Sequence, residues 1–459
     1  MIKIICLVIS GLLLTQVSFA QKAVSEEHKN TSSASDGKAS MLKHKPLAFL
    51  KAKVHDGKVQ VRFVRKVSFY KKELSDLFSE FRIYRKKVDF ALREDSTEFC
   101  DGLSFSDAEM IYKGPIKPHD KTTGVFIYTD DNVAVGQTYA YWAAAAYGDP
   151  IGPCPVKIRD PLTWWSADKI SKEVYDLQKS YPESIKISIL GKTIKGRDIL
   201  GIEAGRSGRK VALVGAVHAS ESGPELIIPV IRAILDNHKS VLNDISIVAI
   251  PCVNLDRRQM TAEGVPWYLR SNYALVDLNR NFPADWEIPD YSYGGSTADP
   301  DFGTYRGPAP ASEPETQAVA SFVKQHRPSM LLSFHALGGI AGRLFLAPPI
   351  PPGNEIYKKK YIKFFEAYSQ SYCAAFSGDD YAAGDLEKYL LFKSKPGTLP
   401  TWCQKEFGIP ACDVELHLHK EQEKALTDEV SIELLTRNQQ QHTAALLNLL
   451  KMMREDKSF

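Results

Sequence analysis

From residue 162 onward, short apolar runs alternate with segments whose apolar residues have helical spacing. Val211–Val217 contains no polar residue, which is typical of a strand covered on both faces of a sheet, and Ser166–Ser180 before it has helical spacing. Ser312 and Glu315 form a candidate capping box. We therefore predict an α/β domain over residues 162–455, with helices flanking a mostly parallel or mixed central sheet. The further predicted strands are Ile245–Ile250, Met330–Phe334 and Ala411–Leu416, and the further helices are Pro224–Leu235, Ser312–His326 and Glu429–Met453.

Residues 45–158 have a different pattern, that of short strands separated by turn residues. Phe81–Arg85 alternates between apolar and polar side chains, and Tyr139–Tyr147 is followed by a Gly-Asp-Pro turn. Strands at this spacing predict a small β-sandwich. The sequence of residues 135–153 is similar to the late strands of fibronectin type III domains. Two further strands are predicted at Val59–Val64 and Gly124–Tyr128.

The charge of the chain gives little indication of its partners. The net charge is +3, which does not indicate a nucleic-acid binder, and we expect no nucleic-acid partner. Part of the predicted sandwich is nonetheless basic. A solvated face is the favoured interpretation, and attraction to an anionic polymer such as a cell wall is the alternative. The basic residues are Arg65, Lys66, Lys71, Lys72, Arg85, Lys86 and Lys87.

Residues 1–20 have the composition of a signal peptide. Lys3 precedes an apolar run over Ile4–Leu14, and small residues before and at Ala20 suit cleavage there. The run is too short to span a bilayer comfortably, and no later stretch approaches spanning length. Residues 21–44 are polar and are predicted to form a disordered leader. We therefore expect a secreted or periplasmic protein that is not inserted in a membrane after the signal is removed.

Export would place six of the seven cysteines in an oxidising compartment, since Cys6 leaves with the signal. An even number permits three disulfides, although the sequence does not determine how they pair. The preferred pair is Cys100 with Cys154, because both lie in the predicted sandwich. The alternative is that several of the six are buried free thiols.

Three residues are candidate ligands of one metal ion. His218 and Glu221 follow a predicted buried strand and are three residues apart, so that one tight turn can direct both at the same ion. His335 ends another predicted strand, and the C-terminal ends of strands are where α/β sheets place their sites. Two imidazoles and a carboxylate form a ligand set suited to catalytic zinc, which keeps a further position open. Taken alone, the pair and the single histidine are weak signals.

The segment Asp277–Pro283, with the sequence DLNRNFP, lies between these elements in the chain. With it, residues 162–450 resemble the zinc carboxypeptidase superfamily of the carboxypeptidase A type. The resemblance implies one zinc ion in the catalytic domain, bound by His218, Glu221 and His335.

The same resemblance implies roles for five other residues. Asn279 and Arg280 would bind the terminal carboxylate of a substrate, and Arg270 would polarise the scissile carbonyl. Asp277 would orient a zinc-binding histidine through its other ring nitrogen. Glu415, which follows an apolar run, would be the general base. A lone glutamate in a strand is otherwise more often an edge or paired carboxylate.

The sequence departs from the family pattern in three places. Lys393 stands where digestive members have a mobile tyrosine, with Tyr389 the nearest tyrosine, and Pro400 stands where the terminal side chain of the substrate is recognised. Ser220 replaces an arginine found in many carboxypeptidases. The loop around Pro400, PGTLPTWC, resembles that of bacterial murein-peptide amidases, which cleave next to diaminopimelate in cell-wall peptides.

Two substrates therefore remain open, an ordinary C-terminal residue of a peptide and a cell-wall peptide. A non-catalytic binding protein on the same fold is an alternative of another class, and it predicts loss of a ligand or of the base. A deacylase of the aspartoacylase kind shares the metal pattern. The Asn279–Arg280 pair is a moderate argument against that alternative.

Overall fold

A computed structural model describes residues 47–65, 80–88, 103–120, 124–146, 148–206, 208–292, 295–335, 343–347, 349, 355–375, 395–417 and 431–456. Its described strands form two four-stranded sheets in the N-terminal part and one seven-stranded sheet in the remainder. No helix in these ranges is both long enough and apolar enough to cross a membrane.

The N-terminal strands form two antiparallel sheets, with orders β1-β2-β6-β5 and β4-β3-β7-β8. Side chains from both sheets share one core, in which the ring centroids of Phe81 and Phe126 are 4.7 Å apart. This arrangement is compatible with the predicted β-sandwich. The strands are β1 (Leu47–His55), β2 (Lys58–Arg65), β3 (Glu80–Val88), β4 (Glu109–Pro115), β5 (Pro118–Asp120), β6 (Val125–Asp130), β7 (Thr138–Ala145) and β8 (Ile151–Lys157).

Arg85 does not belong to a solvated basic face. Its Nη1 donates to Asp130 Oδ2 at 2.8 Å, and that carboxylate also accepts from the Tyr141 hydroxyl at 2.9 Å. Because Asp130 is buried, an unpaired charge there would be costly, and Arg85 supplies the partner. The prediction of a solvated face is therefore wrong for this residue, while Lys66, Lys71 and Lys72 lie outside the described residues.

The seven-stranded sheet has the order β14-β15-β13-β11-β12-β10-β9. Its four central strands run parallel, and the three outer strands are antiparallel to their neighbours, which confirms the predicted mixed sheet. The strands are β9 (Ile185–Lys192), β10 (Asp198–Ala204), β11 (Lys210–Gly215), β12 (Ser246–Ile250), β13 (Met330–Phe334), β14 (Arg343–Ala347) and β15 (Ala411–His417).

Helices flank this sheet, and three of them begin at a residue whose side chain caps the helix. The side chains of Ser166, Thr398 and Ser431 accept backbone N–H bonds at the starts of three of them. The helices are α1 (Ala167–Ser180), α2 (Pro224–Asn237), α3 (Leu255–Ala262), α4 (Pro314–His326), α5 (Glu355–Ala374), α6 (Leu399–Phe407) and α7 (Ile432–Glu455), with short 3-10 turns at Lys239–Asn243 and Leu278–Arg280.

Two local predictions are wrong. The strand predicted to continue to Val217 ends at Gly215, because Ala216 turns the chain with a φ of 47°. Ser312 does not cap a helix. Helix α4 begins at Pro314, and the Ser312 hydroxyl instead donates to Glu313 Oε1.

The structure describes only some of the cysteines to which these predictions refer. Cys100 lies outside the described residues, so its pairing with Cys154 stays a prediction. Cys252, Cys403 and Cys412 are buried free thiols, in agreement with the alternative interpretation. Burial raises the pKa of Cys252 to about 12, which keeps it a protonated and unreactive core residue.

A fully buried ion pair between Glu225 and Arg258 joins α2 to α3. Arg258 Nη2 contacts Glu225 Oε1, and the guanidinium also donates to the carbonyls of Ala219 and Glu221 at 3.1 and 2.9 Å. Arg258→Met should lower the free energy of unfolding by about 3–5 kcal/mol, because it leaves a carboxylate buried without its cation. Urea unfolding would measure the change. Arg454→Met, at a pair in which both side chains are more than two-fifths exposed, should stay within about 1 kcal/mol of wild type.

Candidate metal centre and active site

The three candidate ligands lie at the C-terminal ends of two adjacent parallel strands. His218 and Glu221 lie in the loop between β11 and α2, and His335 directly follows β13. The loop returns so closely that a Cβ at Gly223 would be 2.3 Å from the backbone nitrogen of Ala216. Only glycine permits this approach, so the chain reverses within a few residues and directs both side chains to one point.

The ligand atoms of these residues converge in a buried cluster. His218 Nδ1 is 2.9 Å from Glu221 Oε1, and His335 Nδ1 is 3.0 Å from Glu221 Oε2. The two Nδ1 atoms are 3.2 Å apart. All candidate ligand atoms lie within 4.8 Å of one another.

The outer ring nitrogens establish which atoms face the cluster. His218 Nε2 is 3.1 Å from Asp277 Oδ1, and His335 Nε2 is 3.2 Å from Asp413 Oδ1. The hydrogen bond between His218 Nε2 and Asp277, and the negative charge of Asp413 beside His335 Nε2, both favour a proton on Nε2, which leaves each Nδ1 with a lone pair. Two lone pairs and a carboxylate then face one another, an arrangement that a cation stabilises. Two imidazoles and one carboxylate fit zinc, with a position left for water or substrate.

Asp277 connects this centre to the neighbouring arginine. Its Oδ1 accepts from the Asn279 backbone N–H at 2.9 Å as well as from His218, and its Oδ2 accepts from Arg270 Nε at 2.7 Å. Burial raises the pKa of Asp277, but Arg270, Arg280 and His218 together hold it well below its usual value. The carboxylate therefore stays ionised, as its role beside His218 requires.

Arg270 is held at one end and open at the other. Its Nε is bound by Asp277, whereas the two Nη groups make no hydrogen bond in the part of the chain that the structure describes. About a sixth of the side chain is exposed. Both Nη groups of Arg270 can therefore donate hydrogen bonds to a ligand beside the cluster of candidate metal ligands.

Asn279 and Arg280 lie beside the centre but are strongly engaged with the chain. Asn279 Nδ2 donates to Asp413 Oδ2 at 3.2 Å, and its Oδ1 accepts from the Leu399 backbone at 2.9 Å. Arg280 Nη1 donates to the carbonyl of Asn279 at 2.5 Å, and both side chains are nearly fully buried. Pro400 lies in the first turn of α6, directly after the residue that Asn279 binds.

Glu415 lies in β15 next to the histidine ligand in the sheet. Phe334 of β13 pairs with Val414, and the His335 backbone N–H donates to the Val414 carbonyl at 2.9 Å. These contacts place Glu415 beside the C-terminal end of β13. Burial raises the pKa of Glu415 to about 7, with His335 lowering it and the carboxylates of Glu221 and Asp413 raising it further. A carboxylate with this pKa can both accept and release a proton near neutrality.

Two residues that contact the ligands were missed by sequence reasoning. Asp413 lies two positions before Glu415 in the same strand, so alternation places both on one face. Tyr268 lies two positions before Arg270, and its hydroxyl donates to Glu221 Oε1 at 2.5 Å. Burial and the Glu221 carboxylate raise the pKa of Tyr268 well above its ordinary value, so the hydroxyl remains a donor. A search for polar residues at two-residue spacing from the expected sites would have found both.

The structure also accounts for one departure from the family pattern. Ser220 is buried, and its hydroxyl accepts from the Leu269 backbone N–H at 2.9 Å. Ser220 therefore fastens the segment that carries Tyr268 and Arg270 to the loop that carries Glu221. Lys393 and Tyr389 lie outside the described residues.

Comparison with known proteins agrees with this geometry. The model of the zinc carboxypeptidase family matches residues 170–440, more than half of the chain, and the chain belongs to that family. The family uses zinc, and the His-Glu-His cluster fits that ion.

Individual relatives match shorter stretches. A metallocarboxypeptidase A-like protein of Trichophyton verrucosum is 34% identical over 168 residues, which cover 33% of this chain and 39% of the relative. Murein peptide amidase A of Escherichia coli K12 is 38% identical over 87 residues, covering 18% and 33%. The chain thus spans about two-fifths or less of the length of these relatives.

A solved structure supports the fold. Bovine thrombin-activatable fibrinolysis inhibitor, in complex with tick carboxypeptidase inhibitor, superposes with a TM-score of 0.53 at 16% identity. The superposition covers 64% of this chain and 98% of that one. At this identity the similarity concerns the fold alone.

The two carboxylates behind the histidines should contribute to metal affinity. Asp277→Asn and Asp413→Asn should each weaken zinc binding by about 10- to 100-fold, since each removes the charge that orients a ligating imidazole. Competition with a chromogenic chelator would measure the affinity. Asp198→Asn, at an exposed pair with Lys192, is the control and should leave it unchanged. Unchanged affinity in Asp413→Asn would reduce Asp413 to a strand neighbour of the site.

Proposed function

We propose that this protein is a zinc-dependent metallocarboxypeptidase that hydrolyses a peptide bond next to a free C-terminal carboxylate. The observation that carries the proposal is the convergence of His218, Glu221 and His335 beside Glu415, a carboxylate whose pKa is raised to about 7. Family membership supports the same reaction class. A non-catalytic binding protein predicts loss of a ligand or of the base, and all four of these residues are present in the chain.

The residues divide the reaction between them. Bound zinc supplies a Lewis acid that polarises a carbonyl and acidifies water. Glu415 accepts a proton from the attacking water and donates it to the leaving amine. The free Nη groups of Arg270 stabilise the negative charge that develops on the scissile carbonyl oxygen.

Asn279 and Arg280 are proposed to bind the terminal carboxylate of the substrate. Arg280 brings a positive charge to a buried position close to the cluster, and a guanidinium suits a carboxylate. Arg280 now donates to the carbonyls of Asn279 and Gly295, so the proposed binding of a carboxylate requires the guanidinium to redirect donors from these backbone acceptors.

Cell-wall peptides are the second candidate substrate. The relative named murein peptide amidase A and the loop around Pro400 favour it. We propose further that residues 1–20 direct export to the periplasm or the exterior, that residues 45–158 form an accessory sandwich domain and that residues 162–455 form the catalytic domain. An exported enzyme would meet both kinds of peptide, so location does not choose between them.

The proposed base gives a pH prediction. A base must be unprotonated, so kcat/KM should fall as the pH falls through the pKa of Glu415. The positive charge of zinc favours the ionised form, and the acid limb should therefore lie below pH 7. Glu415→Gln should bind zinc normally while losing about 10²- to 10⁴-fold in kcat. Steady-state kinetics across the neutral range, with zinc content measured in parallel, would check both. Undiminished turnover in Glu415→Gln would exclude the role.

Product analysis would distinguish the two substrates. N-blocked dipeptides and purified muropeptides would be incubated with the zinc-loaded protein, and the released fragments identified by mass spectrometry. Release of a free C-terminal amino acid from the dipeptides is the expected result. Cleavage of muropeptides alone, next to diaminopimelate, would favour the amidase. A chelator should abolish either activity, and activity that persists after zinc removal would contradict the metal assignment.

A further inference from the structure

The chain between α3 and Asn272 carries Tyr268 and Arg270, which lie beside the candidate metal ligands. We name residues 263–270 the arginine loop. It contains Tyr268, which donates to Glu221, and ends at Arg270, which is bound by Asp277. Apart from one isolated bridge residue, Tyr268, the loop contains no regular secondary structure. Contacts with other parts of the molecule must therefore hold it in place.

Both sheets of the sandwich contact the beginning of this loop through their edge strands. Val54 of β1 donates its backbone N–H to the Glu263 carbonyl at 2.7 Å, and Lys157 of β8 donates to the Gly264 carbonyl at 2.8 Å. β1 and β8 are the outer strands of the two sheets, and outer strands have unpaired backbone groups that must be satisfied. The loop satisfies two of them, and in return its own carbonyls are fixed.

The approach is as close as the backbone permits. Gly264 has a φ of +100°, and a Cβ there would be 2.4 Å from Val156 Cγ2 and 2.9 Å from both the Lys157 carbonyl and Val54 Cγ2. Any side chain would therefore push the loop away from the sandwich.

Side chains add a second layer to the contact. Arg159, buried just after β8, donates through Nη1 to the carbonyls of Thr261 and Val265 at 2.8 and 2.7 Å. Lys53 in β1 forms an ion pair with Glu263 at 3.0 Å. Charged donors to neutral carbonyls make strong hydrogen bonds, and here they enclose the start of the loop.

The far end of the loop is fixed to the metal site. Ser220 binds the backbone of Leu269 through both its hydroxyl and its N–H, at 2.9 and 3.3 Å. The loop is therefore held at 263–265 by the sandwich and at Leu269 by the neighbour of Glu221. A displacement at one end must move Tyr268 and Arg270, because few residues separate the two attachments.

We propose that the N-terminal sandwich is a positioning element of the active site, holding the arginine loop so that Arg270 and Tyr268 keep their places beside the metal ligands. This inference rests on the proposed hydrolysis. A displaced Arg270 stabilises the transition state poorly without altering the zinc ligands themselves. The expected defect is therefore in kcat, with KM and zinc content little changed.

The test compares two glycine substitutions in the full chain. Gly264→Ala should lower kcat by about 10- to 100-fold and increase hydrogen exchange of the amides in residues 265–270. Gly196→Ala is the matched control, because Gly196 also has a positive φ, +85°, but a Cβ there would meet nothing within 4 Å. It carries the same backbone strain without contact with the sandwich, and it should leave kcat and loop exchange close to wild type.

A milder variant covers the case in which Gly264→Ala fails to fold. Arg159→Lys keeps the charge but loses the geometry that reaches two carbonyls, and a smaller loss of kcat with faster loop exchange is expected. Equal kcat and equal loop exchange in wild type, Gly196→Ala and a folded Gly264→Ala or Arg159→Lys would overturn the inference. A wild-type protein that hydrolyses nothing would instead refute the proposed function, and loop exchange would still decide whether the sandwich fixes the loop.

Discussion

The candidate active site depends on the buried carboxylate of Asp277. One oxygen orients His218 and accepts from the backbone of Asn279, and the other holds Arg270. An isolated charge at this depth would be strongly unfavourable, so the cations around it are a condition of its burial. The candidate metal ligand His218 and the neighbouring Arg270 thereby share one buried partner, each contacting a different oxygen of Asp277.

The order of the sheet explains why the convergence of the candidate metal ligands could be predicted from the sequence. Buried parallel strands are long apolar runs, and the residues directly after each run lie at the same edge of the sheet. His218 and His335 come after two runs that prove to be neighbours, β11 and β13. Glu415 required more, since its position depends on β15 pairing with β13, and it was predicted as a site residue only from the resemblance to zinc carboxypeptidases.

The residues that were missed share a physical reason. Asp413 and Tyr268 act on ligands that are distant in the chain, and their importance depends on which elements pack together. The outer strand β9 was likewise not predicted, because its residues are largely exposed or half-buried and lack the continuous apolar pattern of the central strands. Ser312 showed the opposite error. The sequence around Ser312 predicted a helix cap. The helix instead begins at Pro314, and the Ser312 hydroxyl donates to Glu313 Oε1.

The contact between Gly264 and the two edge strands bears on how such a chain can change in evolution. The outer edges of β1 and β8 are partly covered by the arginine loop, and the loop has no room for a side chain at its point of closest approach. Exchanging the sandwich for an unrelated module would deprive the Glu263 and Gly264 carbonyls of their backbone donors. The two parts of the molecule are therefore expected to be inherited together, with substitutions at the junction occurring in compensating pairs.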